Sequence, residues 1–111
     1  MALQLGDSIP AFSSTNQRGE SVTHEDLLGK KVVLYFYPKD STPGCTAQAC
    51  DLRDNYQALQ SQGFTVLGVS PDSEKSHQKF IAKFELPFDL LADTDHSLAE
   101  AFGVWVEKSM Y

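Results

Sequence analysis

Two cysteines, Cys45 and Cys50, are the residues of this sequence best suited to chemistry. Cys45 follows Pro43 and Gly44, which form a turn, and it opens a segment with helical spacing, so we predict that its thiol lies at a helix N-terminus. Unpaired amide N–H groups and the positive end of the helix dipole stabilise an anion there. Because the thiolate is the nucleophilic form of cysteine, we interpret Cys45 as a reactive thiol.

The spacing of the two cysteines predicts a redox switch. In one regular helix, five residues correspond to about 7.5 Å of rise and about 140° of rotation, which separates the two Cα atoms by about 8.7 Å. A disulfide needs a Cα–Cα distance of about 4.4–6.8 Å, so Cys45 and Cys50 can bond only after part of the helix unwinds. A sulfenic acid on Cys45 would therefore last until the helix loosens and Cys50 attacks it.

The residues before Cys45 suit a substrate with an O–O bond. Pro43 and Gly44 shape a turn whose N–H groups can point at a bound oxygen, and Gly44 allows close approach of the backbone. The Thr42 hydroxyl can accept from one atom and donate to another, which orients the O–O bond toward the sulfur. Pro38 ends a strand and can shield the thiolate from water.

Simpler interpretations of the same residues stay open. A cysteine at a helix start is often only a small buried apolar residue, and Cys50 can be a spectator. Thr42 can be a helix cap, Pro38 a strand terminator and Gly44 part of an ordinary turn. The neighbouring charges fit a solvated surface better than a docking site for a reductase: Lys39 and Asp40. The three histidines lie on different predicted elements and form no metal-ligand pattern: His24, His77, which we assign to helix packing, and His96.

The elements that position the cysteines alternate between strands and helices. The apolar run over residues 31–37 predicts a strand buried on both faces. Helical spacing then predicts one helix that ends at Gly63, with one face formed by Cys45, Ala49, Leu52, Tyr56 and Leu59. Cys50 lies off this face, on the polar side of the helix. Upstream, residues 13–20 indicate a hairpin tip and residues 23–29 one helical turn.

The second half of the chain continues the alternation. We expect a buried strand over residues 64–69, a helix capped by Asp72 or Ser73, and a strand over residues 88–91. A final short helix is capped by Asp93 or Asp95 and ends at Gly103. Aromatic side chains expected in the core are Phe80, Phe84, Phe88, Phe102 and Trp105. This order predicts one α/β domain over residues 1–111 with parallel crossovers.

Composition excludes several functional classes. A chain of 111 residues is at most one domain, and its net charge of -6 argues against nucleic acid as a partner. No apolar run is long enough to span a membrane, and residues 1–7 carry no export signal. Two cysteines do not make a secreted disulfide framework, so we expect a cytoplasmic protein with a working thiol pair.

Pro38, Thr42 and Cys45 reproduce the P-x-x-x-T-x-x-C motif of peroxiredoxins. Residues 36–46 resemble the peroxiredoxin Q branch, also called bacterioferritin comigratory protein, as do Gly6 with its neighbours and residues 68–70. The resemblance covers residues 3–111 and implies a thioredoxin-like fold of the peroxiredoxin type, with a central mixed sheet flanked by helices. It also implies that Cys45 is the peroxidatic thiol and Cys50 the resolving thiol.

The resemblance also implies an activity and partners. Hydrogen peroxide or an alkyl hydroperoxide would be the substrate, and thioredoxin or a glutaredoxin-like donor would reduce the resulting disulfide. The expected form is a monomeric, thiol-dependent antioxidant peroxidase that needs no metal, haem, flavin or nucleotide.

One feature of the family is missing from this sequence. The family's fourth active-site residue is an arginine on a later strand, and the only arginines here are Arg18, in the predicted hairpin tip, and Arg53, on the polar face of the active-site helix. The chain stops at Tyr111, before the strand that would carry this arginine, and the last strands and helix of the fold are missing too. We therefore expect a fragment of a longer enzyme, with activity weakened or lost if nothing follows.

Three rival functions share the cysteine pair. A non-enzymatic redox sensor, whose oxidised helix binds a partner, would use the same switch without turnover. A thioredoxin-like disulfide oxidoreductase is disfavoured because the C-x-x-C motif is absent. A metal site is the weakest alternative, since two thiolates with no nearby histidine leave the coordination incomplete.

Overall fold

The computed structural model describes Gly6 and residues 8–103. Strands and helices alternate along this part of the chain, as the sequence predicts. The elements are β1 (Ser13–Thr15), β2 (Ser21–Thr23), a 3-10 helix (His24–Leu27), β3 (Lys31–Phe36), α1 (Pro43–Asp54), α2 (Tyr56–Ser61), β4 (Phe64–Ser70), α3 (Glu74–Phe84), β5 (Asp89–Ala92) and α4 (Ser97–Ala101). Trp105, predicted as a core residue, lies outside the described residues. None of the helices within them has the length and apolar character to cross a bilayer.

Three parallel strands in the order β3-β4-β5 form the sheet that carries the cysteine site. β1 and β2 form an antiparallel hairpin, and an antiparallel bridge between Asn16 and Leu91 joins it to β5, so the β-structure is mixed. The prediction that residues 31–37 are buried on both faces is only partly right. β4 is the central strand and is buried from Val66 to Ser70, whereas β3 has one neighbour among the described strands and is half-buried over residues 32–36.

Side chains of the strands alternate between two apolar cores, because successive residues of a strand point to opposite faces. One core lies between the sheet and helices α1 to α3; its buried members are Tyr37, Ala49, Val66, Phe80, Leu86, Phe88 and Leu90. The other lies on the opposite face; its buried members are Val69, Leu91 and Leu98, with Phe102 packed against them. The aromatic residues predicted for the core that fall in the described part are therefore confirmed as packing residues.

Helix boundaries differ from the predicted ones at one point. The predicted single helix through Leu59 is interrupted at Asn55, whose side-chain amide donates to the carbonyl oxygen of Asp51 at 2.8 Å. This local hydrogen bond competes with the helical pattern, which explains why asparagine favours helix ends. Both cysteines nevertheless lie within α1, so the geometry assumed for the switch is present.

The predicted caps of the later helices are confirmed with one refinement. Ser73 precedes α3 and its hydroxyl accepts from the N–H of Ser76 at 3.1 Å. At α4 both aspartates contribute: Asp93 accepts from two N–H groups of the first turn at 2.9 Å, and Asp95 accepts from the N–H of Ser97 at 3.1 Å. The residue at the cap position itself is His96, with a positive φ of 62°.

Candidate active site

β3 delivers the loop that leads to Cys45. The N–H of Tyr37 still donates to Val69 of β4 at 2.9 Å, and the chain then leaves the sheet. Thr42 is extended at the cap position, and Pro43 is the first helical residue, where the missing N–H of proline costs nothing. The first helical hydrogen bond runs from the N–H of Thr46 to the carbonyl of Thr42 at 2.8 Å. Cys45 therefore lies in the first turn of α1, as predicted.

The immediate surroundings of Cys45 present hydrogen-bond donors that have no acceptor in the described part of the chain. Its side chain is half-buried and packs against the core beneath the helix. Among the described residues, the N–H groups of Gly44 and Cys45 have no acceptor, and the first turn of α1 carries no acidic side chain. An anionic sulfur or a bound oxygen at this position would meet free donors and no adjacent carboxylate on the helix.

The Thr42 hydroxyl does not cap α1. It donates to the carbonyl oxygen of Lys39 at 3.2 Å, across the loop, and its side chain accepts no N–H from the helix. Thr42 therefore occupies the predicted cap position of α1, but its hydroxyl does not make the cap hydrogen bond. A hydroxyl that donates in this way keeps lone pairs with which it can accept another hydrogen bond.

The space around Gly44 is open. A methyl group at this position would meet no heavy atom within 4 Å, and Gly44 is not among the residues with positive φ. Neither packing nor turn geometry within the described structure therefore requires glycine here, and the role of Gly44 in a close approach of the backbone to a bound oxygen stays a prediction. Pro43 and Pro38 are exposed, and the shielding role of Pro38 stays a prediction.

Cys50 is half-buried, so its predicted place on the polar side of α1 is only partly right. Both cysteines are free thiols. The neighbouring Arg53 donates to Asp54 at 3.0 Å and to the carbonyl oxygen of Phe84 at 2.7 Å. The hydrogen bond to Asp54 raises the pKa of Arg53, and the negative charge of a Cys50 thiolate contributes to the same shift. Cys50 thus lies within reach of a positive charge that ties α1 to α3.

Neither arginine of the chain is available to Cys45. Arg18 donates to both oxygens of Asp89 at 3.1 Å and to Glu20 at 2.7 Å, and these two carboxylates raise its pKa. The Arg53 guanidinium is held by Asp54 and Phe84. The prediction that neither residue supplies the family's active-site arginine agrees with these contacts.

Asp40 is the loop residue whose burial was predicted wrongly from the sequence. We predicted a solvated surface charge, but Asp40 is only 6% exposed. Its carboxylate faces α3, where it contacts His77, which is 0% exposed. The available signal was His77 itself: a histidine on the inward face of a helix needs a buried polar partner.

Tyr35 also contributes an unexpected group. Its hydroxyl oxygen is buried and has no hydrogen-bond partner among the described residues. Burial raises the pKa of Tyr35, and the negative charges of Asp40 and Cys45 add to the shift, so the hydroxyl lies in the electrostatic field of the cysteine site. The ring reaches this position because β4 has glycine at residue 68, where a Cβ would lie 2.9 Å from the hydroxyl.

Comparisons with known proteins agree with this arrangement. A family model described as the AhpC/TSA family matches residues 5–111. A putative peroxiredoxin Bcp of Coxiella burnetii is 48% identical over 111 residues, all of this chain and 74% of the relative. Peroxiredoxin Bcp of Escherichia coli is 50% identical over 107 residues, 96% of this chain and 69% of the relative.

Solved structures extend the likeness to the backbone. Peroxiredoxin Q of Xanthomonas campestris superposes with a TM-score of 0.85 at 42% identity, over 90% of this chain and 63% of that protein. Peroxidoxin BcpB of Mycobacterium tuberculosis gives a TM-score of 0.87 at 32% identity, over 94% of this chain and 68% of that protein. The chain thus spans roughly two thirds of the length of the proteins it matches, and the predicted thioredoxin-like peroxiredoxin fold is confirmed.

Proposed function

Because the chain belongs to the AhpC/TSA family, and within it to the peroxiredoxin Q or Bcp type, we propose that Cys45 reduces hydrogen peroxide and organic hydroperoxides. Peroxiredoxins are thiol-dependent antioxidant peroxidases, and the chain belongs to this class of oxidoreductase. The observation that carries the assignment of Cys45 is its place in the first turn of α1, beside two N–H groups without acceptors in the described structure.

In the first step the Cys45 thiolate attacks the terminal oxygen of the hydroperoxide. The S–O bond forms while the O–O bond breaks, and the leaving oxygen takes up a proton to become water or an alcohol. The N–H groups of Gly44 and Cys45 donate to the oxygens between which charge moves, which is the role of preorganised donors in catalysis. Thr42 orients the O–O bond through its hydroxyl, which is anchored on the carbonyl of Lys39.

In the second step Cys50 resolves the sulfenic acid on Cys45. The Cys50 thiolate attacks the sulfur, the S–S bond forms, the S–O bond breaks, and hydroxide leaves and is protonated to water. Both residues lie in α1, where a regular helix holds their Cα atoms about 8.7 Å apart, so the first turns of α1 must open before the bond forms.

In the third step an external dithiol reduces the Cys45–Cys50 disulfide. Thioredoxin or a glutaredoxin-like protein supplies two electrons and becomes a disulfide itself. An opened α1 supports this exchange because it presents the disulfide to an attacking thiolate. The cycle needs a reducing compartment, so we place the protein in the cytoplasm, working as a monomer.

A Cys45→Ser variant tests the function. We expect the wild-type protein to consume peroxide in the presence of thioredoxin, thioredoxin reductase and NADPH, and the variant to consume none above background. Mass spectrometry of the wild-type protein after one equivalent of peroxide should show a Cys45–Cys50 disulfide. Stoichiometric oxidation without turnover would favour the redox sensor instead. Unchanged peroxide consumption by Cys45→Ser would refute the peroxidase proposal.

A further inference from the structure

A buried polar cluster joins the active-site loop to α3, outside the contacts that the peroxidase mechanism uses. Its centre is the carboxylate of Asp40. One oxygen accepts from the hydroxyl of Tyr37 at 2.6 Å. The other oxygen accepts from the hydroxyl of Ser76 at 2.8 Å and contacts Nδ1 of His77 at 2.7 Å. Both carboxylate oxygens are therefore engaged by side chains of the fold.

The backbone of the loop is fastened at the same residue. The N–H of Asp40 donates to the carboxylate of Asp72 at 2.7 Å, and the same carboxylate oxygen accepts from the hydroxyl of Ser70 at 2.7 Å. The next residue, Ser41, has a positive φ of 63°, a conformation that residues other than glycine adopt only when their surroundings hold them there. Asp40 thus fixes the chain immediately before this turn.

Both ring nitrogens of His77 face acceptors, the carboxylate of Asp40 and the carbonyl oxygen of Leu91. Nε2 lies 2.9 Å from the carbonyl oxygen of Leu91, which has no hydrogen to give, so Nε2 carries one. Burial alone would raise the pKa of Asp40, but the hydrogen bonds from His77 and Tyr37 lower it below its ordinary value. The carboxylate of Asp40 therefore accepts the hydrogen bonds of its neighbours in its ionised form.

We propose that Asp40 is a positioning residue for Cys45, which holds the loop before α1 on α3 both while the thiol reacts and while α1 opens. Only a few residues connect Asp40 to Cys45. The hydroxyl of Thr42 donates to the carbonyl of Lys39, so the residues on either side of Asp40 are tied to each other. A displacement of Asp40 therefore moves Thr42 and, one turn later, Cys45. The anchor also confines opening of the chain to residues after Ser41.

This proposal rests on the peroxidase function above. It predicts that Asp40 affects the rate constant of Cys45 oxidation differently from the rate constant of disulfide formation. Reaction with peroxide needs Thr42 and the helix donors in place, whereas disulfide formation needs α1 to leave its place. An Asp40→Asn variant removes an acceptor from Ser76 or His77 and loosens the loop. It should lower the second-order rate constant for Cys45 oxidation at least tenfold, without slowing the first-order formation of the Cys45–Cys50 disulfide.

The first step is measured in a Cys50→Ser background by trapping the sulfenic acid with dimedone, and the second step in the two-cysteine protein by quenched-flow alkylation. Glu25→Gln is the matched control: it removes an exposed carboxylate that makes no side-chain hydrogen bond within the described structure, where Glu25 bonds only through its backbone carbonyl, and both rate constants should stay within twofold. Circular dichroism verifies that each variant is folded at the assay temperature. Ser76→Ala, which removes a single donor, should lower the first rate constant about threefold and serves if Asp40→Asn does not fold.

The outcomes are distinct. A folded Asp40→Asn protein with a lower melting temperature but the wild-type rate of Cys45 oxidation would reduce Asp40 to a stabilising residue and overturn the proposal. Equal slowing of both steps would also overturn the proposal. If Asp40→Asn does not fold and Ser76→Ala is used instead, a wild-type rate of Cys45 oxidation in Ser76→Ala would overturn it too. Failure of the proposed function itself looks different, because the wild-type Cys45 would then react with peroxide no faster than free cysteine.

Discussion

Replacement of Gly44 by alanine should make the protein more stable and less active at the same time. Glycine within a helix costs about 0.5–1 kcal/mol relative to alanine, because its backbone loses more freedom on folding. The new methyl group would meet no heavy atom within 4 Å, so no steric term opposes this gain. For a domain of this size the melting temperature should rise by about 2–8 °C.

The expected loss of activity has its cause in the open space beside residue 44, which the new methyl group would fill. In the proposed mechanism the hydroperoxide lies against the N–H groups of Gly44 and Cys45, where the methyl group would project. Removal of one preorganised donor from a catalytic site costs on the order of 100-fold or more in rate. The methyl group leaves both donors in place but displaces the substrate from them, so we expect the rate to fall at least about 10-fold. Stopped-flow competition for hydrogen peroxide gives the second-order rate constant of Cys45, and thermal unfolding gives the stability.

Ala47→Gly is the matched control for this experiment. Ala47 is exposed on α1, two residues beyond Cys45, and the variant should lose about 0.5–1 kcal/mol of stability while keeping the rate constant within twofold. A Gly44→Ala protein that reacts with peroxide at the wild-type rate would show that the substrate does not occupy the space beside residue 44. A fall in its stability would show that the helix start is more crowded than the structure indicates.

Three further results are expected. Cys50→Ser, treated with one equivalent of peroxide, should keep its helical circular dichroism and accumulate a dimedone-reactive sulfenic acid. The wild type should lose helical signal under the same treatment. Equal loss in both proteins would contradict the opening of α1. Gly68→Ala should lower the free energy of unfolding by about 1–3 kcal/mol, because the new Cβ would lie 2.7 Å from Leu90 and 2.9 Å from Tyr35. Chemical denaturation measures this change, and unchanged stability would contradict the close packing of these side chains around residue 68. The pKa of Asp40 is lower in the folded protein than in the unfolded chain, so its contribution to stability is present above about pH 4 and is lost as the pH falls further. Denaturation curves at pH 3–7 should therefore show a weaker acid dependence for Asp40→Asn than for the wild type.

Local patterns were sufficient to predict most of the architecture. Apolar runs without alternation located β3 and β4, and short-range caps located the start of α3 at Ser73. The place of Cys45 followed from Pro43 and Gly44, since turn and helix-start chemistry depends on neighbours in sequence. These features are set by interactions over a few residues, which is why one sequence was enough to predict them.

The errors about which polar side chains are buried concern contacts between residues far apart in sequence. Asp40 is 37 positions from His77, and nothing within its own loop distinguishes a buried carboxylate from a solvated one. The hairpin tip was predicted from its polar residues, yet Gln17 is buried because its side chain bonds to Asp89 and to the N–H of Leu90. Polar side chains near a chain reversal have no local signal for such partners, so the tertiary structure alone decides their burial.

The energetic cost of opening α1 can be judged from what the helix buries. Ala49 is the one fully buried residue of α1, and a buried methyl group contributes only about 0.8 kcal/mol. α3, by contrast, buries Phe80 and His77 completely, and a buried phenylalanine alone contributes about 1.5–3 kcal/mol. Local opening follows the elements with the fewest buried contacts, so α1 can unwind between its cysteines while α3 and the Asp40 anchor stay in place. The same small side chain at residue 49 that keeps α1 close to the sheet therefore also keeps disulfide formation energetically accessible.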